Sequence, residues 1–536
     1  MLGFIHFDKS GLPNNRSEML VTSEKAKEVL EHSFVKIINN SSQKETFFGR
    51  IIQGPFYHPE EINRDSALAQ TAILKGDTFP AVPNYYATAI IELLGVFGDN
   101  GGVFNAGIRP NPQSKVEKLN DNDIKKILKL HEGDLVIAKL EGYENVDVNL
   151  KSNDKAVLPR NIGIFGTVGS GKTNTAQTII EEVANAKNKK WAVIIVDVEG
   201  EYVNMDEPSN QDYLEKRIKK YGREFVGLSD FHVYHLVDSY SAREGKRKAI
   251  YIQTDQIEPV MLSEILGLTE PQSGAFFEAI EWIGRANKAL RRNEAKDPVL
   301  KGPMTQEGYT LKSIIEAVGE ALRQGKDGEI IRYSSKGSLG PLLRKLWRLQ
   351  KTGAYDRAGY GDPIEATKLL KPGMVSVFDV SHTGTYEKNL FIAELLNKVS
   401  DAKNDNQNLP PTMIVIEEAH TFISRENKDK MAETIAILRN IARRGRKRWL
   451  SLCFISQQPS HLPNEIFELC NTRIIHTIKS ESNLRVLKLT AGDISEEIWN
   501  DIPTLGTGQA IIDSPQFREP LKINVRPCQT KRGLVD

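Results

Sequence analysis

The residues with the plainest chemical meaning are Gly166-Thr167-Val168-Gly169-Ser170-Gly171-Lys172-Thr173. They follow the pattern G-x-x-x-x-G-K-[ST], a loop whose backbone N–H groups cradle the phosphates of a nucleoside triphosphate. Gly166 and Gly171 permit backbone angles that a Cβ would forbid. Lys172 would reach the β- and γ-phosphates, and the Thr173 hydroxyl would hold Mg²⁺. The flanking residues supply the geometry this chemistry needs. Residues 161–165 read as a short buried strand, and Ala176, Ile179, Ile180 and Val183 recur at helical spacing after the loop. A strand, a Gly-rich turn and a helix start aim N–H groups and the positive end of a helix dipole at one point. Gly166 through Thr173, with Asn174 behind them, are therefore the candidate ATP-binding residues.

A triphosphate site also needs carboxylates and a polar sensor. Residues 412–416 (TMIVI) read as an apolar strand, followed by Glu417-Glu418-Ala419-His420. Glu417 would hold the Mg²⁺ hydration shell, and Glu418 would polarise the attacking water as a general base. Another apolar strand, 191–197, ends at Asp197, with Glu199 and Glu201 just beyond it. Open α/β sheets place ligands at such C-terminal strand ends, so one of these acids could orient a water or the metal's hydration shell. The strand at 449–456 ends in Gln457-Gln458-Pro459; Gln457 could bond the γ-phosphate or the lytic water, while a plain turn before the proline is the other reading.

A helix expected at 429–444 closes with six basic residues in the ten from Arg439 to Arg448. If Gly445 ended that helix, one or two cations would complement its dipole. Six exceed that need, and they suit a phosphate, either of a neighbour's nucleotide or of a DNA backbone. Arg443 and Arg446 are the candidates, with Arg444 between them.

These groups must be held by a parallel sheet, and the pattern supplies one. From residue 161 strands alternate with helices, the signature of an α/β core spanning 151–204 and 371–525. Residues 205–370 interrupt it as a mostly helical insertion, with helices expected at 261–268, 271–292, 311–324 and 338–349. Residues 1–150 read as short strands between Gly, Pro and Asn turns (34–38, 46–53, 85–96, 134–140), with one helix at 122–131. Such a pattern suggests a small barrel serving assembly or docking. Residues 526–536 read as a polar tail. At 536 residues the chain needs more than one core. Its net charge of +1 argues against a protein that coats nucleic acid, though not against a local basic surface. Three scattered cysteines disfavour a disulfide scaffold or zinc site and fit a reducing cytosol. No signal peptide or membrane span is expected.

Taken together, the motifs resemble the HerA group of the HerA–FtsK superfamily of P-loop ATPases, which are ring-forming DNA translocases or helicases. The resemblance is carried by GTVGSGKT (166–173), VDVEGEY (196–202), PGMVSVFDVS (372–381), IVIEEAH (414–420), RRGRKR (443–448), SQQP (456–459) and LGTGQAII (505–512). It implies a RecA-like core with an N-terminal β-barrel, a homohexamer with ATP and Mg²⁺ at subunit interfaces, and double-stranded DNA in a central channel. It further implies that Lys172 and Thr173 bind nucleotide and metal, that Glu417 and Glu418 form the acidic pair, that Gln457 is the sensor, and that a basic residue of 443–448 acts on the neighbour's ATP. Glu417 stands where the family commonly has Asp, and Arg444 where it often has an acid. Such proteins commonly work with a separate effector, a NurA-type nuclease in DNA-end resection or a Sir2-like or nuclease effector in antiviral defence. No nuclease constellation stands in this chain. A membrane-partnered DNA or protein motor and an ATP-binding scaffold are the alternative functions.

Overall fold

The computed structural model describes all residues except 8–11, 42–44, 60–84, 99–102, 106, 238, 240, 242–244, 246, 292–307, 325–329, 335, 422–431, 493 and 534–536. The expected helix start at 429–431, Arg292 and the last three tail residues lie outside the described set.

A closed barrel forms the N-terminal part. Gly3–Ile5, Lys115–Lys118, Phe34–Ile38, Thr46–Pro59, Tyr85–Phe97 and Arg16–Thr22 follow one another in antiparallel pairs, and the last pairs back onto the first. Alternating inward residues, among them Met19, Val35, Ile37, Phe47, Ile51, Ala89, Ile91 and Val116, fill it. Closure leaves the six strands without a free edge, and Val103–Phe104 adds a short seventh to Tyr85–Phe97.

Among the described residues the second sheet has thirteen strands. Its parallel part runs Asp362–Pro363, Arg247–Tyr251, Phe231–Leu236, Val375–Asp379, Ala192–Asp197, Thr412–Ile416, Leu450–Ser456, Ile162–Phe165 and Thr472–Ile475. An antiparallel extension follows: Gln509–Asp513, Leu521–Val525, Leu135–Leu140 and Asp147–Leu150. The central strands are buried on both faces because helices cover both, which is why they read as unbroken apolar runs.

Three sequence expectations need correction. Residues 134–140 do not join the barrel; Leu135–Leu140 pairs with Leu521–Val525, so the sheets do not divide at residue 150. The segment 205–370 carries its helices at Pro259–Ile265, Glu270–Arg291, Leu311–Gln324 and Leu339–Gln350, but also three strands of the parallel sheet. These strands, FHVYHL and RKAIY among them, are only partly buried and carry polar residues, which hid them from an apolar-run reading. The polar tail is not loose. Arg526, wholly buried, pairs with Glu181 and Glu182 of the helix Lys172–Ala184 at 2.9 and 3.0 Å. Thr530 and Gln529 donate to Glu181, and the Gly533 N–H donates to Glu201 O at 2.8 Å. Removing one partner of such a buried pair costs roughly 3–5 kcal/mol.

Candidate active site

Between Leu450–Ser456 and Thr472–Ile475, the strand Ile162–Phe165 delivers the Gly-rich loop to the middle of the sheet. The loop is braced from both flanks. Gly166 N–H donates to Ser456 O (3.4 Å), Thr167 N–H to Thr477 O (2.9 Å), and Gly508 N–H to Ser170 O (3.0 Å). A Cβ at Gly166 would meet Ser170 Oγ at 2.6 Å and His476 Cβ at 2.7 Å. Gly171 holds φ at 108°, and a Cβ there would crowd Gly508 at 3.2 Å. The glycines are thus required by close approach and by left-handed backbone, as a phosphate cradle demands.

Lys172 begins the helix, and its ammonium curls back to Thr167 O at 2.9 Å. Burial lowers its pKa, while Glu418, Glu201 and Glu417 act to raise it. Thr173 Oγ1 donates to Glu201 Oε2 at 2.5 Å. Of the three acids Asp197, Glu199 and Glu201, Glu201 is therefore the one beside the expected metal position. Asp197 instead accepts N–H bonds from Gly200, Glu201 and Tyr202 and organises the turn. Asn174 also departs from expectation. Its side chain bonds Arg526 O, the Cys528 N–H and Arg532, so it anchors the C-terminal segment rather than facing the loop.

The two acids after Thr412–Ile416 separate sharply. Glu417 is buried and accepts the Val198 and Glu199 N–H groups at 3.1 and 3.3 Å. Burial and the neighbouring Asp197 push its pKa well above the carboxylate range. Burial likewise lifts Asp197 to about 6. A divalent cation beside the Thr173 hydroxyl and Glu201 would favour the ionised form of Glu417. Glu418 takes a left-handed backbone, φ 42°, which sends its carboxylate toward different neighbours. Its Oε2 lies 3.1 Å from His420 Nδ1 and 3.5 Å from the Gln457 N–H. Burial raises its pKa, but the hydrogen bonds from His420 and Gln457 and the charges of His420 and Lys172 prevail and hold it below the usual value. It is an ionised acceptor held near the loop lysine, the condition a general base requires.

Gln457 thus lies beside Glu418 at the tip of Leu450–Ser456. Two histidines were missed by sequence reading. His420 bridges Glu418 and Ser456 Oγ (3.2 Å), and its sequence signal was its place two residues after Glu418. His476 lies under the loop, bonded to Thr175 Oγ1 (2.8 Å) and Gln509 O (2.9 Å); burial lowers its pKa to about 4, so it is neutral. No local pattern marks it.

The basic run lies elsewhere. Helix Ala432–Arg448 continues through Gly445, where a Cβ would meet Leu450 O at 2.4 Å; the glycine serves close packing rather than ending the helix. The helix returns from the tip of Thr412–Ile416 to the base of the parallel strand Leu450–Ser456. Asn161, preceding the loop strand, donates to Ala442 O. Exposed Arg443, Arg444 and Arg446 therefore stand at the sheet's base, a four-residue strand or roughly 13 Å from Gly166. They are not brought to the subunit's own loop.

Comparison with known proteins is consistent with this site. Residues 135–399 match the family described as "Helicase HerA, central domain". A probable helicase of Methanocaldococcus jannaschii is 21% identical over 507 residues, 90% of this chain and 84% of that protein. The DNA double-strand break repair helicase HerA of Pyrococcus furiosus is 23% identical over 427 residues, covering 73% and 69%. That of Sulfolobus acidocaldarius is 25% identical over 415 residues, covering 75% and 71%. Among solved structures, VirB4 of Thermoanaerobacter pseudethanolicus superposes with a TM-score of 0.50 at 15% identity, over 74% of this chain and 96% of that one. That likeness is one of fold.

Proposed function

We propose that the chain, whose residues 135–399 match the HerA central domain, is an ATP-hydrolysing P-loop enzyme of the HerA type and works as a homohexameric translocase or helicase on double-stranded DNA. The observation that carries this reading is a divided site. Lysine, carboxylates and glutamine converge at one end of the sheet, while unengaged arginines occupy the other. Bound ATP with Mg²⁺ supplies the phosphoanhydride to be cleaved. Gly166–Thr173 hold the phosphates, and Lys172 neutralises charge at the β/γ end. Thr173 and Glu417 face the metal side, with Glu201 beside them. Glu418 takes a proton from the attacking water, and Gln457 orients that water. Arg443 or Arg446 of the adjacent subunit completes the charge stabilisation, as arginine fingers do.

We assign the barrel to docking and the DNA-processing step to a separate nuclease or other effector, acting in the cytoplasm. Among the described residues no helix is long and apolar enough to cross a membrane. The test is ATPase rate with and without duplex DNA, for the wild type and Lys172→Ala. DNA should accelerate the wild type, and the variant should lose turnover by at least ~10²-fold. An unaffected variant would sink the site assignment. Slow turnover indifferent to DNA would point instead to an ATP-dependent scaffold.

A further inference from the structure

A cleft of about 600 Å³ opens near the phosphate-binding loop, lined in part by Tyr213, Arg217, Tyr221, Glu141 and Asn524. Its connection to the loop runs through short contacts. A Cβ on Gly171 would lie 3.2 Å from Gly508, and a Cβ on Gly508 would lie 3.7 Å from the Arg217 guanidinium. Arg217 also donates to Val525 O at 3.4 Å. Loop, Gly508, Arg217 and cleft are consecutive surfaces.

The sheet order fixes which part of a nucleotide could reach it. Glu418 and Gln457 come from strands on one flank of the loop strand; Gly508 rises from the other. Lys172, Glu418 and Gln457 belong with the γ end, so the nucleoside must leave the loop across Gly508, toward Arg217. The chemistry waiting there suits a base. Tyr213 is 78% exposed. Tyr221, by contrast, is committed, with its hydroxyl on Asn524 O (3.0 Å) and Lys139 Nζ over its ring at 5.1 Å. Glu141 and Asn524 are bonded to one another and to Gln509, which gives the cleft a fixed polar floor. Lys139, Lys216, Arg217 and Lys220 outnumber Glu141 and Glu144 around it, as befits a site next to phosphate.

We propose that this cleft is the nucleoside subsite of the ATP site, with Tyr213 stacking on the base and Arg217 standing where the sugar and α-phosphate pass. The assignment rests on the ATP-binding reading of the loop and is tested separately from it. On the full-length chain, ADP and inorganic tripolyphosphate are titrated by calorimetry against the wild type, Tyr213→Ala, Tyr213→Phe and Lys172→Ala. Base–aromatic stacking predicts that Tyr213→Ala weakens ADP roughly tenfold and leaves tripolyphosphate unchanged. Tyr213→Phe, which keeps the ring, should bind ADP as the wild type does. Unchanged ADP affinity in Tyr213→Ala, or an equal loss for both probes, overturns the subsite. Loss of duplex DNA binding with ADP affinity intact overturns it in favour of a DNA contact. If Lys172→Ala leaves both probes bound as before, the loop assignment itself has failed.

Discussion

The two ends of the parallel sheet obey opposite rules. At the strand tips the polar groups of the site are committed: Lys172 to the loop carbonyl, Thr173 to Glu201, Glu417 to backbone N–H groups, Glu418 to His420. At the base, Arg443, Arg444 and Arg446 are exposed and make no ion pair among the described residues. Burying a charge is costly unless it is paired, so the tip has the economy of a pre-organised site. Exposed arginines carry no such constraint and gain little from their own subunit beyond a complement to the helix dipole. One end is built to hold a ligand, and the other is free to be presented to one.

The sharpest way to break this contrast is at the base. Arg443→Ala or Arg446→Ala should leave ADP affinity unchanged while kcat falls by roughly 10³-fold for whichever residue is the finger. Mixing that variant with Lys172→Ala should restore turnover, because an intact loop then meets an intact arginine from a neighbour. No recovery in the mixture would mean that the arginines do not act across an interface. At the tip, Glu418→Gln should retain nucleotide binding and lose about 10²-fold in kcat, measured by steady-state ATPase. A parallel loss of nucleotide affinity would show Glu418 to be a ligand rather than a base.

The smallest expected effect comes from His420→Ala, about tenfold in kcat. It carries a pH signature. A general base works ionised, so with Glu418 in that proposed role activity fades as pH falls through its pKa. His420 helps hold that pKa low, and without it burial drives the value upward. The acid limb of kcat should therefore move to higher pH, and His420→Asn, which keeps a donor, should move it part of the way back. A lower rate with an unmoved limb would reduce His420 to packing.

How much of this was legible in the sequence follows from how local each feature is. The loop, the Glu417–Glu418 pair and Gln457 sit within single strand–turn segments, so their periodicity and punctuation announce them. Leu311–Gln324 was expected with the bounds it has, because its apolar stripe repeats within one helix. His476 was not legible, because its role depends on Thr175 and Gln509 arriving from other elements. The pairing of Leu135–Leu140 with Leu521–Val525 was hidden for the same reason: an alternating strand does not say which edge it joins. Asn174 shows the converse hazard. It stands next to a phosphate motif, yet its side chain serves the C-terminal segment.

That long-range closure has a consequence in time as well as in space. Asn524 meets Glu141 across 383 residues of chain, and Arg526 seals Glu181 and Glu182 on the helix that begins with Lys172. During vectorial synthesis the barrel can close from early residues, whereas the nucleotide pocket waits for a strand and a clamp made some 350 residues after its own lysine. A nascent chain paused before residue 520 would carry the whole phosphate loop and still lack Gly508's bracing strand partner and the Arg526 clamp.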